Sequence, residues 1–473
     1  MSIAFLPSLR CQLPVLLFLL QGAFIAVFNL FFTFEDPSTH FDTSNATTTA
    51  EGLDDLENIF PFFKDVHIML FAGLGLMLSF LKLYGFGGIA VNFLIANFAI
   101  QWSMVVQGFF YHFRHGVIVL KLRNVLEAEF AGVTALISAG AVLGRTSPVQ
   151  LLLLTAVEIP LFVVNDWLIN EYFHIIDVGG TVAIHIFSCY FGLGVAQILY
   201  RPSLRKRHLK EVTTSNTDLL SLLGTIFLWI FWPSFNSVLA KTREAQHRAI
   251  VNTFLALSSG TITTFAMSSL IDKQGRLSLV HLQNASLAGG VAVGVSADLI
   301  SPGGAFTIGC LASISCSLGF QYLSPFLAKK IKVQDQCGIH NLHGLPGIIG
   351  TVGSIVVILL GPVDTFGLSL HETLYHDGLE GQQPTLGLFG NRETWTAQRQ
   401  ALHQAAALGV TFGVSLFGGY ITGLLMRFPC FVHPSKDDFF DDQLYFQVPE
   451  DSGTKWISNE ELQKHLLVPL KHI

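Results

Sequence analysis

The amino-acid sequence predicts an all-α polytopic membrane protein with about 12 transmembrane helices. Three observations support this fold class. The 473 residues are 51% hydrophobic and only 13% charged, and their mean hydropathy is positive, a balance typical of chains that cross a membrane many times. Apolar runs of membrane-spanning length recur along the whole chain. Two of these runs begin with the same Asp-x7-His spacing, which indicates an internal repeat.

Each predicted helix is an apolar run of about 20 residues, the length that crosses a hydrocarbon core of about 30 Å. The runs lie at 12–33, 63–85, 88–112, 124–145, 148–169, 178–200, 217–240, 248–271, 281–299, 303–324, 339–361 and 404–426. The ninth run is the shortest and is rich in glycine. The first run follows Arg10, as in a signal peptide, but its length and the lack of a small-residue cleavage site favour a retained membrane helix.

The distribution of lysine and arginine predicts that both termini are cytoplasmic, because this orientation puts about two thirds of these residues on the inner side. The predicted segments are an additional first helix (1–33), an extracellular loop (34–62), a first five-helix repeat (63–200), a basic cytoplasmic loop (201–216), a second five-helix repeat (217–361), an extracellular loop (362–403), a last helix (404–426) and a cytoplasmic tail (427–473). The first extracellular loop contains Asn45-Ala46-Thr47, an acceptor sequence for N-glycosylation.

The composition argues against several other classes of protein. The formal net charge of −6 is spread over a long chain without a basic tail, so a nucleic-acid partner is not expected. The six cysteines lie in or beside apolar runs, so a disulfide framework is not expected either. The sequence predicts no cofactor, no metal site and no enzymatic activity. Membrane lipids are the expected surroundings.

The repeated spacing joins Asp177 to His185 and Asp335 to His343. Each motif begins a predicted helix, the sixth and the eleventh, and an offset of five helices means that the two helices run in opposite directions. Helices 2–6 and 7–11 are therefore predicted to be inverted repeats around a central pore. Eight helical residues rise about 12 Å, so each aspartate lies near a membrane face and the two histidines converge near the midplane.

Each residue of these motifs has a structural interpretation as well as a functional one. The paired histidines are interpreted as pore-lining, because ionisable residues at membrane depth are usually functional; the alternative is a buried structural role. His340 is interpreted as a helix-start hydrogen-bonding residue, with a supporting role as the alternative. Asp177 is either an N-cap or an attractor of cations, and Asp335 is interpreted as mostly structural. Glycines near both histidines are expected to let the helices approach closely (Gly179, Gly180, Gly344, Gly347 and Gly350).

Seven segments, spread over nearly the whole chain, resemble a known family. They are DVHIMLFAGLGLMLSFLKLYGF from Asp65, FLIANFAIQW from Phe93, DVGGTVAIHIFSCYFGL from Asp177, TIFLWIFWPSFNS from Thr225, NASLAGGVAVG from Asn284, CGIHNLHGLPGIIG from Cys337 and FDDQLYFQVPE from Phe440. With these segments the chain resembles the Rh glycoproteins of the ammonium transporter (Amt/Mep/Rh) superfamily. The last segment favours the Rh branch over bacterial Amt proteins.

This resemblance implies functional residues and an assembly. The twin histidines of the family correspond to His185 and His343, and its acidic residue at the outer mouth corresponds to Asp177. The family's stacked pair of pore-blocking phenylalanines corresponds to Phe130 and Phe235, which Asn236 follows. The resemblance also implies a homotrimer in the plasma membrane with one pore per subunit, conducting ammonia or ammonium, for which methylammonium serves as an analogue.

Other functions stay open from the sequence. A structural Rh protein with an idle pore would share the fold, although the intact histidine pair favours transport. Passage of CO2 is neither supported nor excluded, and neither is net ammonium transport in place of neutral NH3. A membrane redox enzyme using the histidines as metal or haem ligands is a remote alternative, because no further ligands occur at a suitable spacing.

Overall fold

The computed structural model describes residues 9–34, 56–202, 208–360 and 396–448, and most of these residues are helical. The helices are α1 Leu9–Phe31, α2 Phe60–Met77, α3 Gly87–His112, α4 Leu122–Gly140, α5 Pro148–Tyr172, α6 Thr181–Ile198, α7 Ser215–Ser237, α8 Arg243–Ile271, α9 Leu279–Ala285, α10 Ala288–Val293, α11 Pro302–Ile331, α12 His340–Leu360 and α13 Ala397–Met426. The glycosylation acceptor Asn45 lies outside the described residues.

Ten of the helices in the described part of the chain are long and apolar enough to cross a membrane, so this is a multi-pass membrane protein. The other two predicted runs are also helical. Helix α4 carries three charged residues, Arg123, Glu127 and Glu129. The ninth predicted run is wrong as one continuous helix, because it is divided into α9, α10 and a short 3₁₀ turn. The total of twelve membrane crossings stays a prediction.

A small three-stranded sheet was not predicted from the sequence. Its strands are β1 Phe32–Thr33, β2 Phe113–Arg114 and β3 Val117–Val119, in the order β1-β3-β2. Strands β2 and β3 form a hairpin whose turn residues, His115 and Gly116, both have positive φ, as a tight two-residue hairpin turn requires. Strand β1 adds to β3 in parallel and so connects the end of α1 to the hairpin.

The long helices differ greatly in burial. In an 18-residue apolar stretch of α6, 83% of the residues are buried, whereas in such a stretch of α1 only 6% are buried. Helix α6 therefore forms the centre of the bundle, where it packs against α4, α12 and α13. Helix α1 lies at the periphery and contacts the bundle through residues such as Phe24, which packs beside Phe98. Large apolar side chains on the outer surface, including Phe18 and Ile262, are exposed in the isolated chain, as expected for a surface that contacts lipid.

The first part of the predicted tail folds back onto the bundle. Phe439 and Phe440 are each 1% exposed and pack with Leu81, Tyr84 and neighbouring apolar residues. The carboxylate of Asp442 accepts hydrogen bonds from the backbone N–H groups of Phe86 and Gly87, both at 2.7 Å. These contacts place the segment against the connection between α2 and α3.

Candidate functional site

The two Asp-x7-His motifs fold in the same way at their first turns. The Asp177 carboxylate accepts hydrogen bonds from the backbone N–H groups of Val182 and Ala183, both at 2.9 Å. The Asp335 carboxylate does the same for Ile339 and His340, at 3.0 and 2.8 Å. Each aspartate thus satisfies N–H groups that have no partner within the helix. The N-cap interpretation of Asp177, one of the two left open, therefore has a geometric basis.

A glycine follows each aspartate by three residues, and the sequence interpretation overlooked this shared position. Gly180 and Gly338 have φ values of +66° and +72°, a left-handed conformation that costs side-chain-bearing residues free energy. The left-handed residue lets the chain turn so that the aspartate faces the start of its own helix. The repeated pattern is therefore Asp-x2-Gly-x4-His, and comparison of the two motifs in the sequence could have revealed it.

Both histidines lie in wide π-helical turns. His185 belongs to the turn Thr181–Ile186, and His343 belongs to the turn His340–Gly344. Such turns are rare, and they occur frequently at functional sites because the extra residue per turn redirects a side chain. Here the two turns face each other at the centre of the bundle.

The side chains of His185 and His343 meet, as the sequence predicted. Their Nδ1 atoms are 3.1 Å apart, within hydrogen-bonding distance. The rings are nearly parallel, with centroids 5.1 Å apart and an interplanar angle of 17°. Both residues are buried, at 2% and 6% exposure. Close helix packing makes the contact possible, because a Cβ atom on Gly347 would lie 2.6 Å from Ile186.

The Nδ1–Nδ1 contact determines what the pair offers to a small molecule. One ring must carry its proton on Nδ1 and the other must not, because one nitrogen donates and the other accepts. In the neutral pair, the donating ring then has an unprotonated Nε2, and the accepting ring has an Nε2–H. Nε2 of His185 is buried and has no partner among the described residues. The pair therefore presents one acceptor nitrogen and one N–H group.

A small apolar cavity of about 50 Å³ adjoins the histidines. Most of the residues around it are aliphatic or aromatic, and both His185 and His343 contribute to its lining. The polar exceptions include Trp232, whose ring stacks on His185 at 5.8 Å and whose Nε1 has no partner among the described residues. Sequence reasoning did not select Trp232, although it lies three residues before Phe235 and therefore on the same helix face. The cavity can hold only small molecules, and its lining disfavours charged ones.

The expected aromatic pair lies directly beside the histidines. Phe130 and Phe235 are in contact, with ring centroids 4.8 Å apart, but the interplanar angle is 77°. The expectation that these rings stack is therefore wrong, because they pack edge to face, an arrangement that the ring quadrupoles also favour. Phe235 contacts His185 as well, at 5.9 Å between centroids. Its ring therefore bridges the other phenylalanine and the histidine pair.

One of the two residues predicted at the mouth is fully enclosed by the protein. Asn236 is 0% exposed, and its Nδ2 donates to Thr253 Oγ1 at 3.1 Å and to the Gly290 carbonyl at 3.0 Å. Burial raises the pKa of Asp177 to about 7, although backbone N–H groups that favour its charged form oppose the shift. Roles for these two residues in attracting a cation stay predictions.

The remaining predicted residues lie near the pair but not against the cavity. His340 Nε2 lies 3.3 Å from the Tyr190 hydroxyl, and its interpretation as a helix-start hydrogen-bonding residue stays a prediction. Asp335 holds the start of α12, and burial raises its pKa while its backbone hydrogen bonds oppose the shift. The sequence interpretation also missed an acid–base pair, because Glu129, beside Phe130, is buried and contacts the half-exposed ring of His67.

Comparisons with known proteins extend over most of the chain. The sequence pattern of the Ammonium Transporter Family matches residues 23–433. The chain is 40% identical to the ammonium transporter Rh type C of Xenopus tropicalis over 449 residues, which cover 94% of this chain and 93% of the relative. It is 41% identical to the ammonium transporter Rh type B-A of Xenopus laevis over 463 residues, which cover 96% and 98%.

A solved structure is similar as well. It is the Rh50 protein of Nitrosomonas europaea, whose structure was presented with a mechanism of conduction by the Rhesus protein family of channels. The TM-score is 0.71 and the sequence identity is 30%, and the superposition covers 88% of this chain and 97% of Rh50.

Proposed function

The chain belongs to the ammonium transporter family as an Rh-type member and transports ammonia or ammonium across a membrane, and we propose that the path runs through the cavity beside His185 and His343. The observation that carries this proposal is the 3.1 Å contact between the two Nδ1 atoms inside a buried, mainly apolar cavity. A pair so placed has a donor and an acceptor for a small uncharged base.

The proposed passenger through the narrow part of the path is neutral NH3. A charge at the centre of a bilayer costs about 3 kcal/mol on insertion scales and more in simulations. Ammonium therefore has to release its proton to the solution on the entry side before NH3 enters the apolar cavity. Ammonia has one lone pair and three hydrogens, and these match the N–H and the acceptor nitrogen that the neutral histidine pair presents. The pair thus replaces part of the hydration that ammonia loses.

The aromatic side chains have a separate proposed role. Phe130 and Phe235 exclude bulk water and hydrated ions from the cavity. Their ring faces can also attract ammonium before it loses its proton, with a cation–π contribution of about 0.5–2 kcal/mol. Asp177, with Asn236 beside it, is proposed to favour cations at the mouth. The partly buried Asp177 carboxylate accepts backbone N–H groups at the start of α6, which supports an electrostatic influence through the helix end.

The cellular setting is part of the proposal. The lysine and arginine distribution supports cytoplasmic termini, and the resemblance to Rh glycoproteins supports a homotrimer in the plasma membrane. A transporter of this kind needs no enzymatic step and no cofactor.

Flux measurements test this function. In proteoliposomes with an ammonium or methylammonium gradient, His185→Ala and His343→Ala should each lower the flux at least about tenfold, a loss that corresponds to about 1.4 kcal/mol of barrier. A matched control is His403→Ala on α13, which removes a partly buried histidine bonded to the Phe173 carbonyl instead of to the pair. Wild-type flux in correctly folded variants of the pair would refute the proposal.

Simultaneous measurement of current and internal pH distinguishes the transported species. Neutral NH3 transport raises the pH of the receiving compartment without current, whereas net ammonium transport produces current. The same vesicles, given a CO2 gradient, test whether the apolar cavity also passes an uncharged gas. An idle pore predicts that none of these signals exceeds that of protein-free vesicles.

A further inference from the structure

A second cavity, of about 300 Å³, lies at one end of the helical bundle and shares no lining residue with the cavity beside the histidines. Its walls come from the connection between α4 and α5, the C-terminal ends of α6 and α13, and the folded-back tail. The proposed transport mechanism gives this cavity no role. Its volume falls at the lower end of the range for small-molecule sites, about 300–1,000 Å³.

Three arginines line this cavity, and no aspartate or glutamate does so among the described residues. They are Arg145, Arg201 and Arg427. Within the described part of the chain, none of the three forms an ion pair. The cavity therefore has a concentrated positive charge that no lining side chain neutralises, an arrangement that attracts anions.

Arg145 is the innermost of the three, with 8% exposure. Its guanidinium donates to neutral acceptors, namely the Gln334 side chain and the carbonyls of Gln334 and Ala141. Its Nε is buried and has no partner among the described residues. The carboxylates of Glu211 and Asp335 attract the Arg145 charge without forming an ion pair with it, and a bound anion would supply the direct counterion that a buried charge favours.

The opposite wall is fixed in place by hydrogen bonds. Gln150 Nε2 donates to the Met426 carbonyl at 2.9 Å and lies 3.0 Å from His433 Nδ1. His433 Nε2 lies 2.9 Å from the Phe428 carbonyl, so it carries the proton and donates, while Nδ1 accepts. The Arg201 guanidinium lies over the Phe439 ring, 5.1 Å from its centroid, which orients the guanidinium without neutralising it.

The chemistry of the lining indicates the class of ligand. The planar guanidinium matches the oxygens of a phosphate better than any other cationic side chain does. The cavity lies at the C-terminal ends of α6 and α13, two helices of membrane-spanning length, and the ends of such helices meet the lipid headgroups of a bilayer. Basic pockets at such places bind phosphorylated headgroups. We propose that this cavity binds a phosphate-bearing headgroup, supplied either by an anionic membrane lipid or by a soluble phosphate ester.

The test measures binding by the purified full-length chain in detergent and does not depend on transport. One arm uses short-chain phosphatidylinositol 4,5-bisphosphate, a second uses inositol 1,4,5-trisphosphate, and short-chain phosphatidylcholine is the neutral reference. The double variant Arg201→Gln/Arg427→Gln removes two exposed guanidiniums from the cavity. Its matched control, Lys273→Gln/Arg276→Gln, removes two exposed charges that the sequence also predicts on the cytoplasmic side.

We expect a phosphorylated probe to bind more tightly than phosphatidylcholine. The cavity double variant should raise the dissociation constant at least about tenfold, while the control variant leaves it unchanged. Binding of the lipid alone identifies a membrane lipid as the source, and equal or tighter binding of the trisphosphate identifies a soluble ester. A further variant, Arg145→Gln, is informative only if its melting temperature shows that it folds, because Arg145 also holds Gln334.

Two results would overturn the proposal. One is that neither phosphorylated probe binds better than phosphatidylcholine. The other is that the cavity variant and the control variant weaken binding equally, which would assign the binding to general surface charge.

Discussion

The two histidine-bearing segments, Asp177–His185 and Asp335–His343, share a backbone design but have different surroundings. In both, the aspartate holds two N–H groups at the start of a helix and a left-handed glycine follows three residues later. His185 also contacts the aromatic rings of Trp232 and Phe235, whereas His343, within the described part of the chain, has its ring contact with His185. The comparison shows that the repeat keeps the backbone conformation that orients each histidine, while the side chains around the two rings differ.

Removal of the aspartates tests whether the two segments are equivalent, and we expect the largest effects here. Asp177→Ala and Asp335→Ala each leave two N–H groups without an acceptor, which should cost about 2–4 kcal/mol of unfolding free energy. Chemical unfolding in mixed micelles measures this cost. The Asn variants keep one acceptor oxygen and should lose less, and Asp177→Asn should lose least, because one oxygen of Asp177 accepts both bonds whereas Asp335 uses both of its oxygens.

The Asn variants also separate structure from charge. Loss of flux in Asp177→Asn without loss of stability, while Asp335→Asn keeps its flux, would assign Asp177 an electrostatic role and show that the two aspartates are not equivalent. Equal behaviour of the two Asn variants would mean that both aspartates serve mainly to position the helices.

Substitution of the left-handed glycines should have the next largest effect. Gly338→Ala and Gly180→Ala each place an alanine at a positive φ, which should lower the free energy of unfolding by about 1–2 kcal/mol. The new Cβ would also lie 2.3 Å from the Phe320 ring in the first case and 2.6 Å from the tip of Ile184 in the second. A ring yields less easily than a flexible tip, so Gly338→Ala should be the more destabilising.

Gly275→Ala is the matched control for both glycines. Gly275 has φ +73°, but its Cβ would meet only Ser269 Oγ, at 3.5 Å. The loss in melting temperature of the Gly275→Ala variant should therefore reflect backbone strain alone. A control as damaging as Gly338→Ala would show that packing around the histidine segments contributes little.

The variants Phe235→Leu and Phe130→Leu test the aromatic contacts beside His185. An edge-to-face pair contributes about 0.5–1.5 kcal/mol beyond its buried area, so both variants should be mildly destabilised. Phe235 also contacts His185, so its variant should change ammonium flux and water leak more than the Phe130 variant. Stopped-flow light scattering and internal pH in the same vesicles measure both. A larger flux effect from Phe130→Leu would contradict the arrangement described here.

The smallest expected effect concerns the tail, which packs against the connection between α2 and α3. Burial raises the pKa of Asp442 to about 6 from 3.8, and the nearby Asp441 raises it further, against the effect of two backbone hydrogen bonds. The folded protein therefore binds this proton more tightly than the unfolded chain does. Its contribution to docking is present below about pH 4 and is lost as the pH rises through about 6.

Hydrogen exchange measures this docking. After correction for intrinsic rates, the amides of Phe440 and Asp442, which donate to Gly144 and Leu83, should be better protected at pH 5 than at pH 7.5. Asp442→Asn, which cannot titrate, should remove the difference. A pH dependence that persists in this variant would assign it to another group.

Much of the site was predictable because a repeated motif carries geometric information. The spacing of Asp177 to His185 and of Asp335 to His343, in helices five apart, predicted that the two rings would meet, and they do. The shared left-handed position of Gly180 and Gly338 was available from the same comparison but was overlooked, since Gly180 was interpreted only as a residue that allows close helix approach. Trp232 could also have been found, since a residue three positions before Phe235 faces the same side of a helix.

Other features do not follow from residue patterns. The angle between Phe130 and Phe235 depends on the packing of two helices far apart in sequence. Strand β1 pairs with β3 across more than eighty residues, and two- or three-residue strands leave almost no periodic signal. The docking of Asp442 onto Phe86 and Gly87 joins the tail to a loop more than 350 residues away.

By itself, the sequence determined the membrane class, the central pair of histidines and the family, because hydropathy and motif spacing are local properties of a chain. Only the tertiary structure decided which nitrogens of the histidines face each other, how the aromatic rings pack beside them, and that three arginines from separate segments surround one cavity. The physical reason is that side-chain orientation and cavity charge depend on distances between residues remote in sequence, and the chain acquires these distances only when its helices pack.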